Sequence, residues 1–252
     1  MHLFHVALVS FAARRVIKMK IRIDFKLEKK EFNADWRRTV LSFLKHLLEN
    51  EKPELYEKYY VTDKTGYKKF NFYAYLPGAK FEQNRIELKD AYVSIYISST
   101  DISLLTYFFN AALKAKRENY PLKNGNSMQI TKVILQKTKQ IKDEEIVISM
   151  KSPLVVRQHT KGNPDKYYYW NEDKFQSTLQ QNIKARYPNW KEYPKLEPIK
   201  CKTVVARAYG CKIPASLGIF KLTGNPEKLN ELYLNGIGSR TSAGFGSFEV
   251  IS

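Results

Sequence analysis

The stretch MKIRIDFKLEKKEFNADWRRTVLSFLKHLLEN, Met19 to Asn50, changes its hydrophobic period once, and that change decides the fold. From Lys20 to Leu27 the apolar residues alternate: Ile21, Ile23, Phe25 and Leu27 fall on one side, Lys20, Arg22, Asp24 and Lys26 on the other. Period two with one charged face predicts a half-buried strand. After Asn33 the period turns helical, with Trp36, Val40, Phe43, Leu44, Leu47 and Leu48 on one stripe. Asn33 is the expected N-cap, and Asp35 sits in the first turn, where the helix dipole favours a carboxylate. The helix is expected to stop near Glu51 and Lys52, before Pro53.

The same two periods continue along the chain. A tyrosine-rich connector (Tyr56, Tyr59, Tyr60) leads to a strand with Phe70, Phe72, Ala74 and Leu76 inward. The segment 85–98 is strand-like but changes parity between Leu88 and Ala91, which predicts a turn or bulge. Asp101 is placed to cap a helix through Leu104, Leu105, Phe108, Phe109 and Ala112 to about Arg117, and Met128 to Gln136 reads as a strand. The order is strand, helix, strand, strand, helix, strand.

A second pass of that order follows more loosely: strands at 146–150, 199–207, 217–222 and 245–251, with helices at 171–187 and 226–234. Two βαββαβ units in tandem predict an α+β chain of two ferredoxin-like, RRM-like domains. The expected boundaries are an extension at 1–18, a first domain at 19–140 and a second at 141–252. The extension is apolar and then basic, but too short and wrongly flanked for a membrane span or a secretion signal, so His2 and His5 carry little weight. Arg157 to Trp170 interrupts the second unit as a basic, aromatic hairpin. Its Tyr167, Tyr168, Tyr169 and Trp170 either stack bases or pack on the sheet.

The chain has 252 residues, 43 Lys and Arg against 25 Asp and Glu, and a net charge of +18. The excess runs from Lys20 to Lys221, so it belongs to the folded body, where it attracts a polyanion and most simply nucleic acid. Cys201 and Cys211 form neither a disulfide framework nor a zinc site, and the four histidines make no paired metal motif. No metal or cofactor is expected, no membrane partner, and the setting expected is a reducing cytoplasm.

Near the C-terminus NGIGSRTSAGFGSFEV, Asn235 to Val250, gathers Gly236, Gly238, Gly244 and Gly246. A dinucleotide site needs GxGxxG between a strand and a following helix. Here Thr241 replaces the third glycine, and a helix enters the loop while a strand leaves it. A Walker lysine is missing too. What remains is either a tight connector or an anion-binding turn, in which Ser239, Arg240, Thr241 and Ser242 would add phosphate ligands.

GIGSRTSAGFGSFEV resembles the C-terminal glycine-rich motif, roughly GxGxxxxxGFG, of the sixth Cas family, the CRISPR-associated endoribonucleases of the RAMP superfamily. The resemblance extends over Met19 to Ser252 in architecture and over about the last fifteen residues in motif. It implies tandem ferredoxin-like domains and a CRISPR repeat-RNA partner lying between them. It also implies metal-independent cleavage of the precursor transcript by 2′-hydroxyl attack, with a 2′,3′-cyclic phosphate product. A CRISPR effector complex and a homodimer are further partners it admits.

Such chemistry needs a base for the hydroxyl, an acid for the leaving 5′-oxygen and cations for the phosphorane charge. His46 lies on the polar face of the first helix, about 130° from the centre of the apolar stripe, in a series with Arg38 and Ser42. The resemblance makes His46 the expected catalytic acid or base and Arg38 and Ser42 expected RNA contacts. The second proton-transfer group is left open between Tyr60 and Lys64. His159, in the hairpin, is a competing candidate away from the family's position. RNA phosphates are expected on the glycine loop and on Lys200, Lys202 and Arg207, with Lys195 and Lys212 nearby on or beside the central strands of the second domain. The rival reading is a non-catalytic RAMP subunit that holds guide RNA. A third is an unrelated basic nucleic-acid-binding module.

Overall fold

The computed structural model describes residues 18–63 and 66–252, so residues 1–17, with His2 and His5, and also Lys64 lie outside the described residues. Strand β1 (Met19–Leu27) is followed by helix α1 (Trp36–Glu51), β2 (Phe70–Tyr75), β3 (Tyr92–Ser99), α2 (Ile102–Lys114) and β4 (Ser127–Lys137). The sheet order is β2-β3-β1-β4, with the short strand Asn119–Pro121 on the outer edge of β4, and every pairing is antiparallel. Ile21, Ile23 and Phe25 pair across to Ile97, Ile95 and Val93. All six are fully buried. Phe25 meets Phe43 of α1 edge to face at 5.2 Å, and Phe70 meets Phe108 of α2 at 5.6 Å. The alternation of β1 and the stripe of α1 therefore close on one core.

The second unit repeats the topology. Strand β5 (Glu145–Met150), helix α3 (Phe175–Arg186), β6 (Lys195–Ala208), β7 (Cys211–Thr223), α4 (Pro226–Asn235) and β8 (Phe248–Val250) form a sheet in the order β6-β7-β5-β8. The chain is α+β, with two tandem ferredoxin-like folds. The inserted hairpin pairs Val156–Gln158 with Lys166–Tyr168. Asn182 of α3 holds it by accepting the Arg157 N–H and donating to the Arg157 carbonyl.

Three sequence expectations are corrected. Helix α1 is capped at Asp35 and not Asn33, and Asp35 makes no side-chain cap bond. Its Oδ2 instead accepts the N–H of Gly210 at 2.9 Å, a tertiary contact that takes the place of the local one. The tyrosine-rich connector is helical, Pro53–Tyr56 continuing as a π-helical turn Glu57–Thr62, because Leu55, Tyr56, Tyr59 and Tyr60 pack on the first core. Strands expected at 199–207 and 217–222 lengthen into one long hairpin through the turn Tyr209–Gly210, where both φ angles are positive. As expected, Lys195, Lys200, Lys202 and Arg207 lie beside a central strand, on the edge strand β6 paired with β7, which carries Lys212.

The two units meet along β2 and the open end of the first sheet. Asn71 on β2 is 1% exposed. It donates to the Phe245 carbonyl at 2.8 Å and accepts from the Ser247 hydroxyl. Ser98 donates to the Leu234 carbonyl, and buried Lys20 reaches Glu249 at 2.6 Å. Burial pulls the Lys20 ammonium down and Glu249 opposes it. We predict that Asn71→Ala leaves the buried Phe245 carbonyl unpaired and the Ser247 hydroxyl with only its long bond to the Phe72 carbonyl, and costs about 1–3 kcal/mol, read as a lowered thermal midpoint by circular dichroism.

Candidate functional site

Packing dictates the shape of the glycine-rich loop. Gly236, Gly238, Gly244 and Gly246 all have positive φ and are buried. A Cβ would lie 1.8 Å from the Asn71 amide at Gly236, 2.6 Å from the Val155 carbonyl at Gly238, 2.7 Å from the Phe72 ring at Gly244 and 1.9 Å from the Ile237 carbonyl at Gly246. The loop's amides are spent inside the protein: Ile237 donates to Gly246, Ser239 to Val155 and Gly246 to Pro153. Its carbonyls are held by two arginines. Arg37 donates to Gly244 at 3.1 Å, and Arg186 donates to Gly238 at 3.0 Å and Gly236 at 2.9 Å. The four glycines and Thr241, expected to contact RNA, are thus buried packing positions, because the loop is the joint between the units. Ser239, Arg240 and Ser242 stay at the surface.

Helix α1 presents two different flanks. Arg37 is buried within the apolar stripe, its guanidinium 4.4 Å from the Trp36 ring and 4.4 Å from the Phe245 ring. Burial lowers its pKa to about 10, against the pull of Asp35, so it stays cationic at neutral pH. Nine residues further on, at about 100° per residue, His46 faces the opposite side of the helix and lies about 13.5 Å along it. There its ring meets Tyr120 at 5.7 Å and its Nε2 meets the Asn50 amide at 3.2 Å. Tyr120 also donates to Ser42. Tyr120 belongs to the edge strand beyond β4, whereas the glycine loop abuts β2 at the other edge.

Of the expected catalytic residues that are described, His46 and Tyr60 lie apart. Tyr60 lies on the other flank of α1, under the ammonium of Lys45 at 4.5 Å, with Lys68 5.4 Å from its ring. Its hydroxyl is buried with no partner among the described residues, and burial pushes its pKa well up. Burial also lowers Lys45 and Lys68, which puts two desolvated cations around one phenol. Lys68 is tied to the carbonyls of Asp63 and Gly66.

Tyr209 at the tip of the long hairpin links this flank to the glycine loop. Its phenol is raised chiefly by burial and then by Asp35, while Arg240 and Arg38 pull it down. Its charge also bears on Tyr60. Arg240 in turn reaches the Asp165 carboxylate at 3.3 Å and the Tyr167 hydroxyl at 3.1 Å. Arg38, Tyr60 and Arg240, far apart in sequence, thus fall around one hairpin tip, along with Lys45, which sequence reading did not single out.

Beside the joint lies a cleft of about 820 Å³ between the first unit and the long hairpin. Lys151, Lys202, Arg207 and Lys212 line it from the second unit, facing Tyr75 and Phe81 of the first. The two aromatics are 54% and 70% exposed, which leaves their faces open for stacking. Arg207 crosses the cleft mouth to the Gln83 carbonyl. Lys200 is exposed outside this cleft, and Lys195 is paired with Glu197 at 2.6 Å. Among the described residues no group of three His, Cys, Asp or Glu is placed to hold a metal ion, and no helix is long and apolar enough to cross a membrane.

Residues 136–250, the β5–β8 unit with its glycine loop, match the family described as CRISPR associated protein Cas6, C-terminal. That stretch, a little under half of the chain, is what resembles Cas6 in sequence. The whole described fold agrees with solved Cas6 architectures. A RAMP protein binding different RNA substrates superposes with a TM-score of 0.78 at 22% identity, covering 93% of this chain and 100% of that one. A Cas6-related protein from Pyrococcus furiosus gives 0.75 at 20% identity, over 93% and 99% of the two chains. A CRISPR associated protein Cas6 gives 0.72 at 18%, over 93% and 100%. No curated protein matches the chain by sequence.

Arg37, Arg186 and Tyr209 escaped sequence reading. Arg37 carried a signal, since it sits inside the apolar stripe of α1 and an arginine there needs buried partners. Gly246→Ala is predicted to cost clearly more stability than Gly162→Ala. Both add strain of about 1–3 kcal/mol at positive φ, but only the Gly246 Cβ meets backbone, whereas nothing lies within 4 Å at Gly162. Thermal melts of the two variants read the difference.

Proposed function

We propose that this protein binds CRISPR repeat RNA across the joint between its units and cleaves the precursor transcript without a metal, by attack of the substrate's 2′-hydroxyl on the adjacent phosphate. The units concerned are residues 19–140 and 141–252. The observation that carries the reading is the run of cations from Arg38 and Lys45 past Arg240 into the cleft of Lys151, Lys202, Arg207 and Lys212. A flexible polyanion follows such a run, with bases stacked on Tyr75 and Phe81 and phosphates neutralised in series. The solved RAMP protein of similar fold is described as binding RNA substrates, which agrees with this use of the fold. In-line attack would leave a 2′,3′-cyclic phosphate and a 5′-hydroxyl, with the cations offsetting phosphorane charge.

A second reading is favoured by one observation. His46 faces Tyr120 and Asn50, on the side of α1 opposite Arg37 and the glycine loop, and the Tyr60 hydroxyl is buried with a raised pKa, so neither is aimed at RNA lying along the cation run. A guide-RNA-holding RAMP subunit of an effector complex needs only the cations. Incubation of the purified chain with its repeat RNA separates the two. Cleavage that persists in EDTA and yields a cyclic-phosphate end is expected, and a substrate with a 2′-deoxy sugar at the cut should resist. A free 3′-hydroxyl product would overturn the mechanism, and tight binding without cleavage would favour the subunit. Loss of cleavage in His46→Ala would place the proton chemistry on the Tyr120 flank.

Lys202→Ala and Arg207→Ala are each predicted to weaken RNA binding and to lower the salt slope, by about 0.7–0.9 for every phosphate that the variant no longer neutralises. Filter binding over a salt series measures both.

A further inference from the structure

The inserted hairpin carries an arrangement that neither the fold nor the RNA-binding reading requires. His159 Nδ1 lies 2.7 Å from Asp165 Oδ1, and the other carboxylate oxygen, Oδ2, takes Arg157 at 2.9 Å and Arg240 at 3.3 Å. The Tyr167 hydroxyl also points to Oδ2, at 3.4 Å. One carboxylate thus joins an imidazole, a hairpin arginine and the arginine of the glycine-rich loop. The side chain of His159 is 63% exposed while that of Asp165 is 19% exposed. Nε2 has no hydrogen-bond partner among the described residues. The shielded carboxylate fixes the tautomer with the proton on Nδ1 and leaves the Nε2 lone pair facing solvent.

Charge balance argues that the imidazole is not there to neutralise Asp165, because two guanidiniums already do. Burial raises the Asp165 pKa, but hydrogen bonds from His159 and Arg157 outweigh it and hold it at about 2. The carboxylate is therefore anionic throughout the working range and keeps its role as acceptor for the Nδ1 proton. Arg240 also keeps a buried Nε without a partner. The hairpin is anchored to α3 through Asn182 and, through Asp165, to the loop, so the ring is held at the joint.

We propose that His159, oriented by Asp165, is the general base of the RNA cleavage put forward above, with Arg157 and Arg240 binding the scissile phosphate. The inference rests on that reading and supplies the residue it lacks. In the step, Nε2 takes the proton of the 2′-hydroxyl as the 2′-oxygen–phosphorus bond forms. The phosphorus–O5′ bond breaks, and O5′ takes a proton from water. The imidazolium then returns its proton to the hydroxide so formed, leaving the cyclic phosphate, the 5′-hydroxyl and neutral His159. Asp165 is a positioning residue, since it touches the ring and not the reacting atoms.

The test uses the full chain with repeat RNA under single-turnover conditions. His159→Gly is expected to lower the cleavage rate by about 10²–10⁴-fold, the range for a lost acid–base group, while RNA affinity stays within about threefold. Added imidazole should restore part of the rate in His159→Gly and none in Asp165→Ala, where the ring is present but unaligned. A structural role for His159 gives no such rescue. Because the side chain is exposed, the thermal midpoint of His159→Gly serves as the folding control. Wild-type-like cleavage by His159→Gly overturns the proposal and leaves the endoribonuclease reading standing. The same holds for a rate loss that imidazole does not mend. Wild-type protein that binds the repeat without cutting it overturns both.

Discussion

Everything at the joint depends on how closely the glycine-rich loop approaches strand β2. With Gly244 against the Phe72 ring and Gly236 against the Asn71 amide, there is no room for a side chain at either position. That approach lets Asn71 reach the Phe245 carbonyl and lets Arg37 reach across to Gly244. Separate the loop from β2 by one methyl group and both buried hydrogen bonds break. The cost is not confined to the loop, because the same close approach fixes the second unit, with its long hairpin, relative to helix α1.

The joint is also where the chain tolerates charge in its interior. Arg37 and Arg186 sit among aromatic rings and hold carbonyls that the sharp turns leave without partners. The buried Arg37 and the half-buried Arg186 are acceptable there because carbonyl acceptors and aromatic faces replace water around them. The result is a rigid loop whose outward residues, Ser239 and Arg240, are presented in one geometry. Around them the flank of α1, the hairpin tip at Tyr209 and the inserted hairpin bring further cations together. A net charge of +18 is thus spatially organised as well as large.

Function-bearing groups were legible to unequal degrees. The glycines were visible as a cluster, and element order set them apart from the dinucleotide fingerprint, yet their burial was not visible. Lys202 and Arg207 were chosen as basic residues of the second unit, and they line the cleft, whereas Lys200 from the same strand does not. His46 satisfied the helical-face argument, since it does lie off the core. The face it occupies is set by Tyr120, far downstream in the chain, through pairing of an edge strand that no local pattern announces. His159 and Asp165 are six residues apart, but their meeting depends on a hairpin register that the sequence does not specify.

By itself the sequence determined the two repeated βαββαβ orders, the core faces of β1 and α1, the cap at Asp101 and the cationic character. Periodicity and local hydrogen bonding act over a few residues, so these features need no knowledge of distant neighbours. Tertiary structure alone decided that the tyrosine-rich segment is helical, that β6 and β7 form one projecting hairpin, and that Asp35 serves Gly210 and not its own helix. It also decided which flank of α1 faces the joint. Those outcomes turn on which surfaces two independently patterned units bury against each other, and that choice is made by packing between residues as far apart in the chain as Arg37 and Gly244.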